Sequence, residues 1–324
     1  MRYLLRRLLQ ATFLLICVSF LTFLFSTLAP GNYLDEMRLN PQISSATLAS
    51  LRAQYDLDRP LPWRYVRWVG SLSRGELGFS FAYNTPVAPL LAVRARNTLL
   101  LTLTSTLLAW ALALPLGAWS AESLGRLPDR ALSLATATLL VIPDLVLALG
   151  FLILAARTGW FPTGGMVSVG FDDLSGLKKL RDLLLHMALP VATLVLTALP
   201  VLVRHTRGAM AEALATPYLR AAAAHGVPRH RLIFRYALRA AANPLISLFG
   251  FSIGTLLSAS LLVEIVMSWP GLGPLLLEAI LARDLYIVIG GVLFSATFLV
   301  AGNFLADLLL YWADPRIRVE ARSR

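Results

Sequence analysis

Long uncharged stretches alternate with polar segments along the chain, and this alternation predicts its helices. Residues 8–29, 97–121, 240–263 and 285–306 carry no charge. Two more stretches are almost as apolar, because 131–156 contains only Asp144 as a charged residue and 183–203 contains only a histidine. About 20 apolar residues cross the hydrocarbon core of a bilayer as a helix. One such run would also suit a buried helix of a soluble protein, but six runs predict an all-α membrane protein with six transmembrane helices. The predicted helices cover about 8–29, 97–121, 131–156, 183–203, 244–266 and 285–311.

The polar segments between these helices divide the chain into three parts. Residues 1–96 combine the first helix with a polar, proline-containing segment that we expect to form a small external cap. Residues 97–312 hold the other five helices, and 204–243 is the largest loop that we place on the inner side. Residues 313–324 form a basic inner tail.

Composition and charge support a membrane protein and set its orientation. The chain is 57% hydrophobic and only 15% charged, whereas soluble domains carry about 25% charged residues. A formal net charge of +11 is also found in nucleic-acid-binding proteins, but here the basic residues lie beside the spans. With the N-terminus inside, the four inner segments hold 16 of the 29 Lys and Arg residues. The excess of positive charge on the cytoplasmic side predicts that both termini are inside, and it argues for lipid rather than nucleic acid as the partner.

One inner segment carries the clearest local signals. Thr216 is a good N-cap, Pro217 suits the first helical position, and an alanine run follows. Gly226 adopts the left-handed conformation that ends a helix more easily than other residues do. These signals predict a helix of about nine residues from Pro217, and Pro228 begins a second helix. In that second helix three arginines fall at i, i+4 and i+8 on one face, namely Arg231, Arg235 and Arg239.

A short alanine-rich helix in an inner loop suits two roles. Its small side chains allow the groove of another protein to close tightly around it, and the arginines beside it could meet an acidic partner. The same features also fit a passive loop that lies on lipid headgroups. Periodicity alone leaves both readings open.

The sequence of this segment resembles the cytoplasmic coupling motif of binding-protein-dependent ABC importer permeases. The dipeptide and oligopeptide branch has a Tyr-x-Arg-x-Ala-x-Ala-x-Gly core and a proline 18 residues after the glycine. The positions of this chain that match the motif are Glu212, Tyr218, Arg220, Ala222, Ala224, Gly226 and Pro244. The chain departs from the pattern at Pro217, where the family usually has an acidic residue, and between Gly78 and Asn97.

Other matches follow in the family's order and extend the resemblance over nearly the whole chain. They include Leu57-Asp58-Arg59-Pro60-Leu61, Gly75-Glu76-Leu77-Gly78, Asp129-Arg130, Ile142-Pro143, Gly159-Trp160-Phe161-Pro162, His186-Met187-Ala188-Leu189-Pro190, Glu264, Ser268-Trp269-Pro270-Gly271-Leu272-Gly273 and Asp314-Pro315-Arg316-Ile317-Arg318.

The resemblance implies an ABC importer type-1 permease fold, with a periplasmic cap after the first helix, in the bacterial inner membrane. It also implies a second, homologous permease, cytoplasmic ATPase subunits that dock on the coupling helix, and a periplasmic or lipid-anchored binding protein that delivers the substrate. The expected substrate is a dipeptide or a longer peptide, and a peptide-like conjugate or a nickel complex remains an alternative. An ion-coupled secondary transporter is the alternative from another class of protein.

Five positions are candidates for the pathway or its gate. Asp144, beside Pro143, is a charged residue inside a predicted span, and such residues are often functional in membranes. Glu264 lies near the outer end of the fifth span, and the family resemblance supports a place along the pathway. Trp269 and Gly271 lie in the rigid turn that follows this span, which we expect to border the external mouth.

Motifs for enzymatic chemistry do not occur in the sequence. A phosphate-binding loop needs a lysine followed by Ser or Thr, but Lys178 precedes Lys179 and Lys179 precedes Leu180. The His-Glu-x-x-His and Gly-x-Ser-x-Gly patterns are absent, and the four histidines do not show zinc-ligand spacing. We therefore expect a transport subunit without catalytic activity, bound metal or cofactor.

Overall fold

The computed structural model describes residues 2–28, 50 and 59–313, and within them it is almost entirely helical. The tail from residue 314 onward and most of the first half of the predicted cap lie outside the described residues. The long helices are α1 (Arg2–Leu28), α3 (Val87–Glu122), α6 (Gly176–Leu214), α10 (Ala242–Val266) and α12 (Leu285–Ala313). The shorter helices are α2 (Leu61–Leu72), α4 (Leu127–Val141), α5 (Asp144–Thr158), α7 (Pro217–Ala224), α8 (Arg229–Arg231), α9 (Leu238–Ala240) and α11 (Leu272–Leu281).

The all-α membrane fold is confirmed, with a qualification on the helix count. Within the described residues, five helices are long and apolar enough to cross a membrane, namely α1, α3, α6, α10 and α12. The sixth predicted span exists only if the bent pair α4 and α5 counts as one span. The orientation, with both termini inside, stays a prediction.

The predicted single helix over 131–156 is replaced by two helices that meet at an angle of 94°. The break falls at Ile142 and Pro143, both of which have extended backbone, with ψ of 119° and 145°. Proline donates no backbone hydrogen bond and disfavours helical geometry in the residue before it. By contrast, Pro115 lies inside α3, and Pro190 and Pro200 lie inside α6. Of these four prolines, only Pro143 therefore separates two helices.

Two helices extend well beyond the apolar runs that predict them. α3 begins ten residues before the predicted start at 97. α6 covers Gly176–Leu214 rather than about 183–203, so the first part of the predicted inner loop continues the helix. Alanine, leucine and arginine are good helix formers, which allows both helices to continue past the hydrocarbon core.

The described residues form two compact units, one drawn from 3–28, 50, 59–98 and 270–298 and the other from 99–269 and 299–313. In the first unit, Phe23 of α1, Trp68 of α2 and Ile289 of α12 form a buried cluster. A two-residue antiparallel pair, β1 (Phe79–Ser80) and β2 (Thr85–Pro86), pairs Phe79 with Pro86 and Ser80 with Thr85.

Two carboxylates hold this hairpin in place within the first unit. The buried carboxylate of Asp284 accepts hydrogen bonds from the Ser80 hydroxyl at 2.7 Å and the Ala82 amide at 3.1 Å. The hydroxyl of Tyr83 donates to the carboxylate of Glu278. Burial and this hydrogen bond raise the pKa of Tyr83 to about 12.

The second unit is built around α6, which packs against α4, α5 and α10. Small residues let α10 and the second half of α12 approach closely. A Cβ atom added at Gly250 would lie 2.5 Å from Cβ of Ala306, and one added at Gly254 would lie 2.0 Å from Cδ1 of Leu299. Glycine and alanine commonly form such close contacts between transmembrane helices.

Candidate functional site

The short helix predicted from Pro217 is present as α7, which covers Pro217–Ala224 and follows α6 after a two-residue turn. Pro217 occupies the first turn, as predicted. Thr216 occupies the N-cap position, but its hydroxyl donates to the carbonyl of Ala213 at 2.6 Å and makes no capping bond to α7. The position of the cap is therefore as expected, although the cap itself is not formed.

The end of α7 depends on one glycine. Gly226 has φ of +81°, and its amide donates to the carbonyl of Ala223 at 3.0 Å. The amide of Val227 then donates to the carbonyl of Ala222 at 3.2 Å. A Cβ atom at Gly226 would have no heavy atom within 4 Å, so a substitution there strains the backbone rather than the packing.

The two sides of α7 differ in exposure. Leu219 is the only buried residue of the helix, with 1% of its surface exposed, and it belongs to the main hydrophobic cluster of the second unit. Ala222 lies one turn further on and is half-buried on the same side. Ala221 and Ala224 are exposed on the opposite side. Of the predicted residues, Ala224 therefore belongs to the free face and Ala222 does not.

The remaining coupling candidates are all exposed. Tyr218, which lies in α7, is 54% exposed, and Arg220 of the same helix is exposed as well. Glu212 is exposed near the end of α6, and Pro244 is exposed in the first turn of α10. All four therefore present accessible side chains.

The predicted arginine helix after Pro228 is not a regular α-helix. Residues Arg229–Arg231 and Leu238–Ala240 are α-helical, but Leu232–Ala237 between them form a π-helix. Ile233 and Ala237 of this π-helix are buried in the main cluster. A π-helix has more residues per turn than an α-helix, so residues at i, i+4 and i+8 no longer share one face. All three arginines are nevertheless exposed.

An ion pair on the predicted inner side joins α4 to α6 beside this segment. The Arg207 guanidinium donates to both carboxylate oxygens of Asp129, at 2.6 Å and 2.9 Å. The Ser120 hydroxyl at 2.5 Å and the Gly125 amide at 2.8 Å also donate to this carboxylate. Asp129 is 2% exposed, and its charge is thus met by three donor groups.

Sequence reasoning did not identify this pair. Asp129 is one of the positions that match the family, and both residues fall in segments that we place on the inner side. Their shared location near the inner membrane surface is the signal in the sequence that points to a contact. The 78 residues that separate them hide the contact, because several other arginines lie in the same segment.

The pathway candidates Pro143 and Asp144 lie at the break between α4 and α5. Pro143 is the N-cap of α5, and Asp144 is its first residue. The carboxylate of Asp144 accepts a hydrogen bond from the Thr197 hydroxyl of α6 at 3.2 Å. The break therefore places a half-buried carboxylate and the start of a helix next to α6, where the positive end of the helix dipole stabilises negative charge.

The other candidates lie where α10 ends. Glu264 and Trp269 both have 0% of their surface exposed, and the Trp269 amide donates to the Glu264 carbonyl at 2.8 Å. The Gly165 amide donates to the Met267 carbonyl of this turn at 3.2 Å. Gly271 is the N-cap of α11. Because Trp269 is fully buried, we expect its truncation to lower the abundance of the protein.

Among residues 2–28, 50 and 59–313, no group of three or more His, Cys, Asp or Glu side chains is arranged to hold a metal ion.

Two family models match this chain. Residues 113–319 match the family described as the binding-protein-dependent transport system inner membrane component, and residues 1–102 match the N-terminal region of such membrane components. The chain belongs to this family. The chain is accordingly a multi-pass inner-membrane permease subunit of an ABC importer, and ATP hydrolysis takes place on a separate subunit.

Curated relatives cover nearly the full length of the chain. The oligopeptide transport system permease protein AppB of Bacillus subtilis (strain 168) is 33% identical over 317 residues, which cover 97% of this chain and 98% of the relative. The dipeptide transport system permease protein DppB of Escherichia coli (strain K12) is 34% identical over 340 residues, which cover 98% and 99%.

A solved structure agrees on the fold. A chain from the inward-facing structures of the MetNI methionine ABC transporter matches with a TM-score of 0.56 at 18% identity, and the match covers 69% of this chain and 96% of that one. The type-1 permease fold is therefore confirmed. Family membership also implies that the subunit works together with an ATPase, a substrate-binding protein and a second permease.

Proposed function

We propose that this permease imports peptides and that α7 is the element through which ATP hydrolysis on a cytoplasmic subunit drives it. The peptide substrate is proposed from the relatives, whose names include oligopeptide and dipeptide transport systems. A second, homologous permease completes the pore, and a periplasmic or lipid-anchored binding protein delivers the peptide.

The geometry of α7 is the observation that supports the coupling role most strongly. One face is held in the protein by Leu219, whereas the other face presents Ala221 and Ala224. Small side chains on a fixed helix let a partner groove approach its backbone closely. An ATPase that moves this helix would pull on α6, because only two residues separate the two helices.

The chain also offers a route from α7 into the membrane. α6 continues without interruption from Leu214 to Gly176, and its Thr197 contacts Asp144 at the break between α4 and α5. We infer that motion of α7 reaches this break through α6. Pro143 and Asp144 then line or control the pathway, and Glu264, Trp269 and Gly271 shape its outer end.

Two exposed alanines of α7 and one exposed alanine outside it provide a matched test. Ala221→Glu and Ala224→Glu each place a long charged side chain on the free face, and overpacking a fitted contact costs about 1–3 kcal/mol. We expect both variants to lose co-purification of the ATPase subunit and peptide-stimulated ATP hydrolysis, with normal insertion into the membrane. Ala240→Glu makes the same chemical change at an exposed residue of α9 and should retain both activities.

Gly226→Val tests the role of α7 without adding a side chain to its free face. Valine resists the positive φ that ends α7, so we expect it to weaken ATPase binding without adding bulk to the interface. Normal ATPase binding and normal peptide uptake in all three α7 variants would show that the helix is a passive loop. Uptake that persists without ATP and stops with an ionophore would favour the ion-coupled alternative.

A further inference from the structure

The helix α2, in the predicted external cap, has two very different faces. On one face, Tyr65 and Trp68 pack against Phe23 of α1, with ring centroids 5.6 Å and 6.2 Å away. Trp68 and Phe23 are 4% and 0% exposed. On the other face, Val66 and Trp63 are 69% and 44% exposed. Apolar side chains therefore occupy both sides of a helix in a segment that we expected to lie outside the membrane.

Contacts with α1 fix the depth of α2. The hydroxyls of Tyr65 and Ser19 are hydrogen-bonded at 2.9 Å, and the rings of Tyr65 and Phe20 meet edge to face at 5.3 Å. Ser19 precedes the last residue of α1, Leu28, by nine residues, or about 14 Å at 1.5 Å per residue. Phe23, which contacts Trp68, lies about 7.5 Å from that end by the same rise. α2 thus runs beside the apolar part of a membrane span and not beyond it.

The contacts of α2 with the first turns of α12 indicate the depth of α2 independently. Ile289 belongs to the buried cluster with Phe23 and Trp68, and the partly buried Leu293 packs against it. α12 starts at Leu285, so these contacts lie in the first few turns of another span. The contacts of Trp68 with Phe23 and Ile289 thus lie within about two turns of the ends of two spans, in the outer part of the acyl-chain region, whereas the Tyr65 hydroxyl reaches deeper along α1.

The basic residues in and just before α2 also suit a position at the membrane interface. The guanidinium groups of Arg59 and Arg67 lie 5.4 Å and 5.2 Å from the ring centroid of Trp63. Tryptophan is enriched at membrane interfaces, and arginine side chains can extend towards headgroups while their stems cover apolar surface. An interfacial helix typically combines such basic residues with apolar side chains that enter the bilayer by about 5–10 Å.

We propose that α2 is an interfacial helix embedded in the leaflet at the Leu28 end of α1, which is the predicted outer leaflet. Val66 and Trp63 face acyl chains. Lipid is the partner because the exposed face of α2 continues the exposed apolar surface of α1, where Phe20 is 40% exposed and meets Tyr65. A soluble protein would have to enter the bilayer to reach this face.

The depth of individual side chains can be measured with spin labels. The chain has one cysteine, Cys17, so Cys17→Ser provides a background for single labels. Val66→Cys and Val69→Cys place a label on the exposed face of α2, where Val69 is 40% exposed. Glu76→Cys, an exposed position after the helix, is the control. Each labelled permease is assembled with its partner subunits and reconstituted in vesicles of phosphatidylcholine and phosphatidylglycerol.

Collision rates with oxygen and with a water-soluble nickel chelate then report the environment of each label. For each label we compare the ratio of its collision rate with oxygen to its collision rate with the nickel chelate. We expect this ratio to be several-fold higher at positions 66 and 69 than at position 76. Ratios at 66 and 69 as low as at 76 would place α2 in water and overturn the proposal. Labels that neither reagent reaches would also overturn it, because they would show that protein covers this face.

Discussion

Removal of the Leu219 side chain should release α7 from the protein. An isolated helix of eight residues is unstable in water, since about 12–15 residues are needed for marginal stability. α7 has eight residues and a single buried side chain, that of Leu219. Its helical order therefore depends on this one contact with the main cluster.

The size of the effect follows from the burial. Leu219 is 1% exposed, and Leu→Ala at buried positions costs about 2–5 kcal/mol. A loss of about 3 kcal/mol lowers the ratio of docked to released α7 about 100-fold, because 1.4 kcal/mol corresponds to a factor of ten. The apparent affinity for the ATPase falls in proportion once the docked form is a minority.

Hydrogen exchange measures this release directly. We expect amides of residues 218–224 to exchange about 100-fold faster in Leu219→Ala than in the wild type, and ATPase binding to weaken. Leu275→Ala is a matched control, because Leu275 is also 1% exposed but belongs to α11 in the other compact unit. It should lower thermal stability and leave exchange in 218–224 unchanged. Unchanged exchange in Leu219→Ala would refute the idea that Leu219 anchors α7.

Two further predictions concern stability. Arg207→Gln leaves the buried carboxylate of Asp129 without its main partner, so thermal unfolding should show a loss of stability of about 3–5 kcal/mol. Adding Asp129→Asn should recover part of this stability. Equal stability of the single and the double variant would contradict the prediction. Trp269→Ala removes a fully buried side chain and should cost about 3–5 kcal/mol, which quantitative blotting of membranes would detect as lower abundance; wild-type abundance with altered transport would instead point to a purely gating role.

Local signals in the sequence predict α7 well and the break at Pro143 poorly. Pro217, the alanine run and Gly226 act within a few residues of one another, so propensity and backbone conformation largely determine the helix. Pro190 also lies in the interior of a predicted span, yet of these two prolines only Pro143 separates two helices. The outcome for a proline depends on whether neighbouring groups satisfy the freed backbone carbonyl, and this depends on tertiary packing.

Long-range contacts also explain what the sequence could not reveal about the candidate sites. A tryptophan after a span reads equally well as an interfacial anchor or as a core residue, and only the packing of Trp269 in the main cluster distinguishes them. Similarly, the sequence of α2 does not reveal the depth of this helix. That depth follows from the bond between Ser19 and Tyr65, 46 residues apart.

The central claim, that α7 receives the ATPase, is tested most directly by cross-linking in the assembled transporter. In a Cys17→Ser background, Ala224→Cys places a thiol on the free face of α7, and Ala240→Cys places one at an exposed position outside it. With a short photoactivatable reagent on each thiol, we expect a product between the permease and the ATPase subunit from position 224 and little from position 240. A product from 240 alone, or none from 224 in a complex that hydrolyses ATP, would contradict the assignment.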